Sequence, residues 1–170
     1  MVVMRRRALL SAAVGVTVGT AGCLGSIRGS NRQVAQLGWF GVHNADPESS
    51  HTFTLIVERD GDVVHESSHD VDAAEDHDPG VASAGAVAEC TWGETTGEYA
   101  VRVRRDGEEE AEKSISSFAA ERGADCVVAD AEYENYDATS EFLDGKRLSI
   151  SLREACDNDG YLRRCSFTRG

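Results

Sequence analysis

Two stretches of this sequence carry the same device, and together they restrict the fold more than anything else in the chain. In "HTFTLIVER", Phe53, Leu55 and Val57 alternate with Thr52, Thr54, Ile56 and Glu58, and Asp60-Gly61 then leads into "DVVHESS". In "GEYAVRVRR", Tyr99, Val101 and Val103 alternate with Ala100, Arg102 and Arg104, and Asp106-Gly107 leads into "EEEAEKSI". Alternation with a period of two places one apolar face on each segment, which is the signature of a half-buried strand. Asp-Gly supplies the positive φ that a tight hairpin turn requires. Both pairs of segments therefore read as β-hairpins. With a two-residue loop in the second, Arg105 faces Glu108 and Arg104 faces Glu109. Such opposite charges mark a solvated edge that discourages pairing with other chains.

Further strand signals follow. "CVVADAEYE" leads through Asp144-Gly145 into "KRLSISLRE", where Leu148, Ile150 and Leu152 alternate with Ser149, Ser151 and Arg153. "SFAAERG" predicts a short helix ending at Gly123. Asp72 to Glu89 lacks a period and reads as a long loop with one short strand. Trp39, Phe40, Trp92 and Tyr99 are assigned to the core rather than to a carbohydrate platform. The sum is an all-β chain, a sandwich of about seven short strands. "GEYAVRV" resembles the entry to strand F of immunoglobulin-like domains, G-x-Y-x-V, in which the tyrosine closes a corner. The resemblance covers Thr52 to Ile115 and implies an immunoglobulin-like β-sandwich. It implies nothing about function.

The opening residues specify an address. Arg5, Arg6 and Arg7 precede a weakly apolar run from Ala8 to Gly22 that is too short to span a bilayer as a helix. Arginine pairs followed by "ALL" resemble a twin-arginine export signal, with the Sec route as the alternative. "TAGC", Thr20 to Cys23, resembles a lipobox, which implies a thioether-linked lipid on Cys23 and attachment to the extracytoplasmic face of the membrane. The expected organisation is an export signal over 1–22, a polar Gly/Ser-bearing tether over 23–36 and a folded domain over 37–170.

Four further cysteines, Cys90, Cys126, Cys156 and Cys165, remain in the exported part. An even number there implies two disulfides with three possible connectivities. Cys156 and Cys165 flank the turn-rich "DNDGYLRR", which favours Cys156–Cys165 with Cys90–Cys126. No C-x2–4-C pair supports a zinc site.

Charge restricts the partners. The formal net charge is −13, and from Cys23 onward fourteen cationic side chains face thirty acidic ones, a balance of −16. That surface repels nucleic acid and anionic headgroups. Only Lys113 and Lys146 are lysines, against fifteen arginines. Few lysines and many carboxylates resemble haloarchaeal proteins, in which molar salt screens the repulsion.

Catalytic motifs do not emerge. There is no G-x-S-x-G, no phosphate-binding G-K-[ST], and no cysteine left after pairing to act as a nucleophile. "HESSHDVDAAEDHD" offers two metal readings. His65 and His69 on one strand stand roughly 13 Å apart, too far for one ion; a loop set of His69, Asp76 and His77 is the alternative. A blue-copper site is excluded because no histidine follows Cys90 and both methionines lie in the export signal. The sequence thus points to a lipid-anchored, non-catalytic surface module without a cofactor; the alternative is a metal- or solute-binding lipoprotein. Its partners would be the membrane, through the anchor, and a surface protein or small ligand.

Overall fold

In the computed structural model, residues 34–77, 80–139, 145–154 and 165 are described. All belong to Asn31–Gly170, the second of the two units into which the chain divides. Ten strands and two short helical segments follow one another: β1 Gln36–Asn44, β2 His51–Arg59, β3 Asp62–Val71, β4 Glu75–His77, β5 Gly80–Ala82, β6 Ala84–Val87, β7 Tyr99–Arg105, β8 Glu109–Ser114, α1 Ile115–Arg122, β9 Cys126–Asn135, α2 Tyr136–Thr139 and β10 Lys146–Glu154.

The predicted hairpins form and lie side by side. One sheet has the order β3-β2-β7-β8, with β2 and β7 antiparallel at its centre. Phe53, Leu55, Val57, Tyr99, Val101 and Val103 are all buried, as their alternation demands. The opposing sheet has the order β10-β9-β1-β6, and β4 pairs with β5 as a separate small hairpin. Leu37, Phe40 and Val42 of β1 share the same core cluster with Val127, Ala129, Ala131 and Tyr133 of β9. Trp39, Phe40, Trp92 and Tyr99 are all core residues, and the Trp92 Nε1–H donates to the Leu37 carbonyl at 2.7 Å.

This is an all-β sandwich of two four-stranded sheets, and its strand order is similar to that of immunoglobulin-like domains. The order β3-β2-β7-β8 is that of strands C′, C, F and G, and β1 pairs with β6 as strand B pairs with E. The expected corner is present, for the Tyr99 hydroxyl donates to the Thr95 carbonyl at 2.8 Å. One departure sets this chain apart. The place beside strand B is filled by β9, which runs parallel to β1 after the α1 crossover, and β10 extends that edge.

Four expectations are corrected. The two sheets hold eight strands, close to the seven expected, but Asp72 to Glu89 contributes three short strands rather than one. Alternation is uninformative over segments of three or four residues, so these strands carried no period. The second hairpin closes with one residue more than two: Arg105 pairs with Glu109 and Arg104 with Glu110. The Glu108 N–H bonds the Arg105 carbonyl at 3.0 Å, so Glu108 belongs to the loop. Charge complementarity survives the shift, with ion pairs Arg105–Glu109 at 3.0 Å and Arg104–Glu110 at 2.9 Å.

The disulfide pairing also differs. Cys90 bonds Cys165, with their Cα atoms 5.6 Å apart, and Cys126 is disulfide-bonded as well. Cys156 itself lies outside the described residues. Cys126 opens β9, opposite Gln36 of β1, whereas Cys90 follows β6 on the far side of β1. Two strand spacings, roughly 9–10 Å, exceed the reach of a disulfide, about 7 Å. The fourth correction, to His65 and His69, belongs to the site described next.

Candidate functional site

Two polar clusters are built into the sandwich around histidines. The first closes one end of it. β1 ends at Asn44, and the loop to β2 is shaped by its side chains: the Asn44 amide donates to the carbonyls of Ser49 (2.8 Å) and Asp72 (2.9 Å), and Asn44 Oδ1 accepts from the Asp46 N–H (3.1 Å). Asp46 is 1% exposed, yet its Oδ1 accepts from the Glu48 N–H (2.9 Å) and the Asn135 amide (3.1 Å). His51 sits between two carboxylates, with Nε2 3.2 Å from Asp46 Oδ2 and Nδ1 2.8 Å from Asp106 Oδ2. Its ring meets that of Tyr133 edge-on at 4.8 Å, and Arg105 lies 4.1 Å over Tyr133.

The electrostatics follow from this geometry. Burial pushes the Asp46 carboxyl up, but the Glu48 N–H, His51 and Asn135 together outweigh it and leave the group below its ordinary value. Asp106 is likewise lowered: burial opposes, while the Thr52 N–H, His51 and Arg105 prevail. Burial raises the Tyr133 phenol against the pull of Arg105. In a catalytic triad one ring nitrogen faces a carboxylate and the other faces the nucleophile. Here both face carboxylates, so no ring nitrogen is left to activate a hydroxyl. The cluster ties β1, β2, β7 and β9 together and acts as a brace.

The second cluster runs along β3. Residues 65, 67 and 69 share the face of β3 that pairs with Val57, Leu55 and Phe53, so they point toward the sandwich interior at its open edge. The Ser67 hydroxyl lies 2.8 Å from His65 Nε2 and 2.8 Å from His69 Nε2. His65 Nδ1 lies 2.9 Å from Thr91 Oγ1, which in turn donates to the Val64 carbonyl at 3.4 Å. The expectation that these histidines stand too far apart counted only backbone. Each imidazole leans along the strand, and the two rings converge on one hydroxyl. Burial holds the His65 imidazole below the ordinary histidine range, and His69 adds to that effect against the pull of Glu89.

Of the alternative metal set, His69 contacts Ser67, and the Asp76 and His77 side chains lie outside the described residues. Among the described residues, no three His, Cys, Asp or Glu side chains converge as a metal site. Arg5, Arg6, Arg7 and Cys23 also lie outside the described residues. On the outer face of β9, Asp130 is met by His43 (3.4 Å) and Arg153 (3.2 Å). Glu132 beside it is raised by burial and by the Glu134 and Asp130 carboxylates.

Sequence reasoning missed the brace entirely. Asp46, His51, Asp106 and Asn135 are scattered over ninety residues with no motif spacing. Its only signal was local: Asn44 and Asp46 are the residue types whose side chains shape turns. The chain matches no protein-family model and no curated protein, so the geometry alone carries the reading.

Proposed function

We propose that this chain is a lipid-anchored surface protein of a halophilic archaeon, whose immunoglobulin-like domain is a non-catalytic binding or structural module. The observation that carries this reading is the oxidised state of the domain. Disulfides persist where the environment is oxidising, outside the cytosol, and both Cys90–Cys165 and the bonded Cys126 agree with such a destination. An exported destination agrees with the arginine-led signal and with the lipobox-like Cys23. The surface charge suits molar salt and disfavours nucleic acid and anionic headgroups as partners.

The non-catalytic part of the reading is supported by both histidine clusters. His51 spends both ring nitrogens on carboxylates. His65 has a threonine rather than a carboxylate behind it, and burial disfavours the imidazolium that a general base must form. Ser67 is therefore poorly equipped as a nucleophile.

Intact-mass and peptide mass spectrometry of the protein from its native membrane tests the reading. The expected product begins at Cys23, carries a thioether lipid there, and gains no mass with a thiol reagent until it is reduced. A full-length polypeptide in the cytosolic fraction with four alkylatable thiols would overturn it.

A further inference from the structure

We propose that His65 and His69, bridged by Ser67 and oriented by Thr91, form a binding site for a first-row divalent cation that prefers imidazole, with copper(II) bound most tightly. Three features of the geometry point there. First, the Nε2 atoms of both rings are held within two hydrogen-bond lengths of each other by a shared contact with Ser67 Oγ. Metal–imidazole bonds of about 2.0–2.1 Å then require both rings to close inward on an ion held between them. Their Cα separation along β3 ceases to matter, because the rings have already covered it.

Second, the tautomers are suited to the task. The Thr91 hydroxyl donates to the Val64 carbonyl, so its oxygen accepts from His65 Nδ1–H. That leaves the His65 lone pair on Nε2, facing the shared point. Metal-bound histidines are held in the same way, with the distal N–H engaged so that the ligating nitrogen is fixed. The Ser67 hydroxyl donates to that lone pair and accepts from His69 Nε2–H. On binding, the proton on His69 Nε2 moves to its Nδ1, which has no partner among the described residues, and the Ser67 oxygen remains beside the ion. No oxidant or co-reactant is needed, because the ion exchanges water ligands for two nitrogens.

Third, the wall opposite β3 is fixed. Thr91 lies between Cys90, tied to Cys165, and Trp92, whose ring meets His65 edge-on at 5.4 Å. Glu89, on the same segment, is near enough to pull electrostatically on His65 and so favours a cation there. With all donors nitrogen or oxygen and no free thiolate, the set suits copper(II) and zinc, and the affinity order among divalent ions places copper first. His69 is half-buried and opens the site toward solvent, whereas His65 is 9% exposed.

The test uses the oxidised full chain in molar salt. Copper(II) titration followed by electron paramagnetic resonance should give one ion per chain with a spectrum showing two nitrogen ligands. His69→Gln, checked for folding by circular dichroism, should weaken binding at least about tenfold, and His43→Gln should leave it unchanged. Zinc should shift the ring resonances of His65 and His69 together. His65 is more deeply placed, so His69→Gln keeps the test valid if a His65 variant fails to fold. Absence of a saturable nitrogen-ligated signal, or its survival in folded His69→Gln, would overturn the proposal. This result is independent of the cellular address, which the mass spectrum tests.

Discussion

The two ends of the β3-β2-β7-β8 sheet are built from one pattern and finished differently. At one end the Asp60 N–H bonds the Glu98 carbonyl (2.9 Å), and Asp60 Oδ1 accepts from the Glu98 N–H (2.9 Å). At the other end the Asp106 N–H bonds the Thr52 carbonyl (2.8 Å), and Asp106 Oδ1 accepts from the Thr52 N–H (3.0 Å). Each turn aspartate thus clamps the entry to the other hairpin, in positions related by the repeat of "RDG". Both aspartates adopt positive φ, 57° and 50°, which their short polar side chains tolerate. The residues just before the clamped positions are Gly97 and His51, and there the symmetry breaks.

At the Asp60 end the chain enters the domain. Ala35 and Gly97 exchange N–H and carbonyl bonds at 3.1 Å, and a Cβ on Gly97 would sit 2.6 Å from Arg59 Cγ. A side chain is excluded because Arg59 already fills the space. At the Asp106 end His51 occupies the equivalent position and joins Asp106 to the buried Asp46. One clamp therefore receives the incoming strand and the other anchors a buried ionic brace. Identical turn chemistry does not fix the role of an end; the neighbours brought in by the opposing sheet do.

The largest test of this contrast is Asp46→Ala. It removes the carboxylate that accepts from the Glu48 N–H and the Asn135 amide and pairs with His51, and should cost about 3–4 kcal/mol in urea unfolding at neutral pH. A loss below about 1 kcal/mol would reduce the brace to ornament. Acid provides the second test. Asp46 and Asp106 both titrate below the ordinary aspartate value. Their contribution is complete above about pH 4 and is lost as pH falls through the lowered folded values. Below about pH 4 the wild type should therefore lose stability more steeply than Asp46→Asn; parallel slopes would break the distinction.

The other end should respond earlier. His65 meets the Trp92 ring edge-on, the Trp92 carbonyl accepts from Arg59 at 3.2 Å, and the folded pKa of His65 is lowered. Its neutral form contributes fully above about pH 6.5, and the contribution declines as pH falls through the lowered value. Amide exchange around Thr91 and Val64 should accelerate in that range, before the residues near Asp46 respond. Simultaneous onset at both ends would contradict the assignment.

Gly97→Ala should cost about 1–2 kcal/mol, since Arg59 must move to admit the methyl group. The smallest effect belongs to the edge. A double-mutant cycle on Arg104 and Glu110, both more than a third exposed, should give a coupling below about 0.5 kcal/mol that vanishes in molar salt.

Much of this architecture was legible in the residues themselves. The hairpins, the helix stop at Gly123, the strand over 146–154 and the Tyr99 corner all depend on local periods and turn chemistry. What failed was non-local. The favoured Cys90–Cys126 pair assumed adjacency that β1 denies by standing between their strands. His65 and His69 were separated by counting backbone alone, because ring orientation depends on Thr91, twenty-six residues away. The brace had no linear signature, since its members meet only when the two sheets close.

The sequence by itself determined that these segments are strands, that Asp-Gly closes them, and that the chain carries cysteines enough for two bridges. A residue's preference for alternation or positive φ acts over a few bonds and is present before folding. Tertiary structure alone decided which cysteines meet, which histidine lies between carboxylates and which converges on a hydroxyl. Those outcomes depend on strand order, and strand order is set by how two apolar faces bury each other.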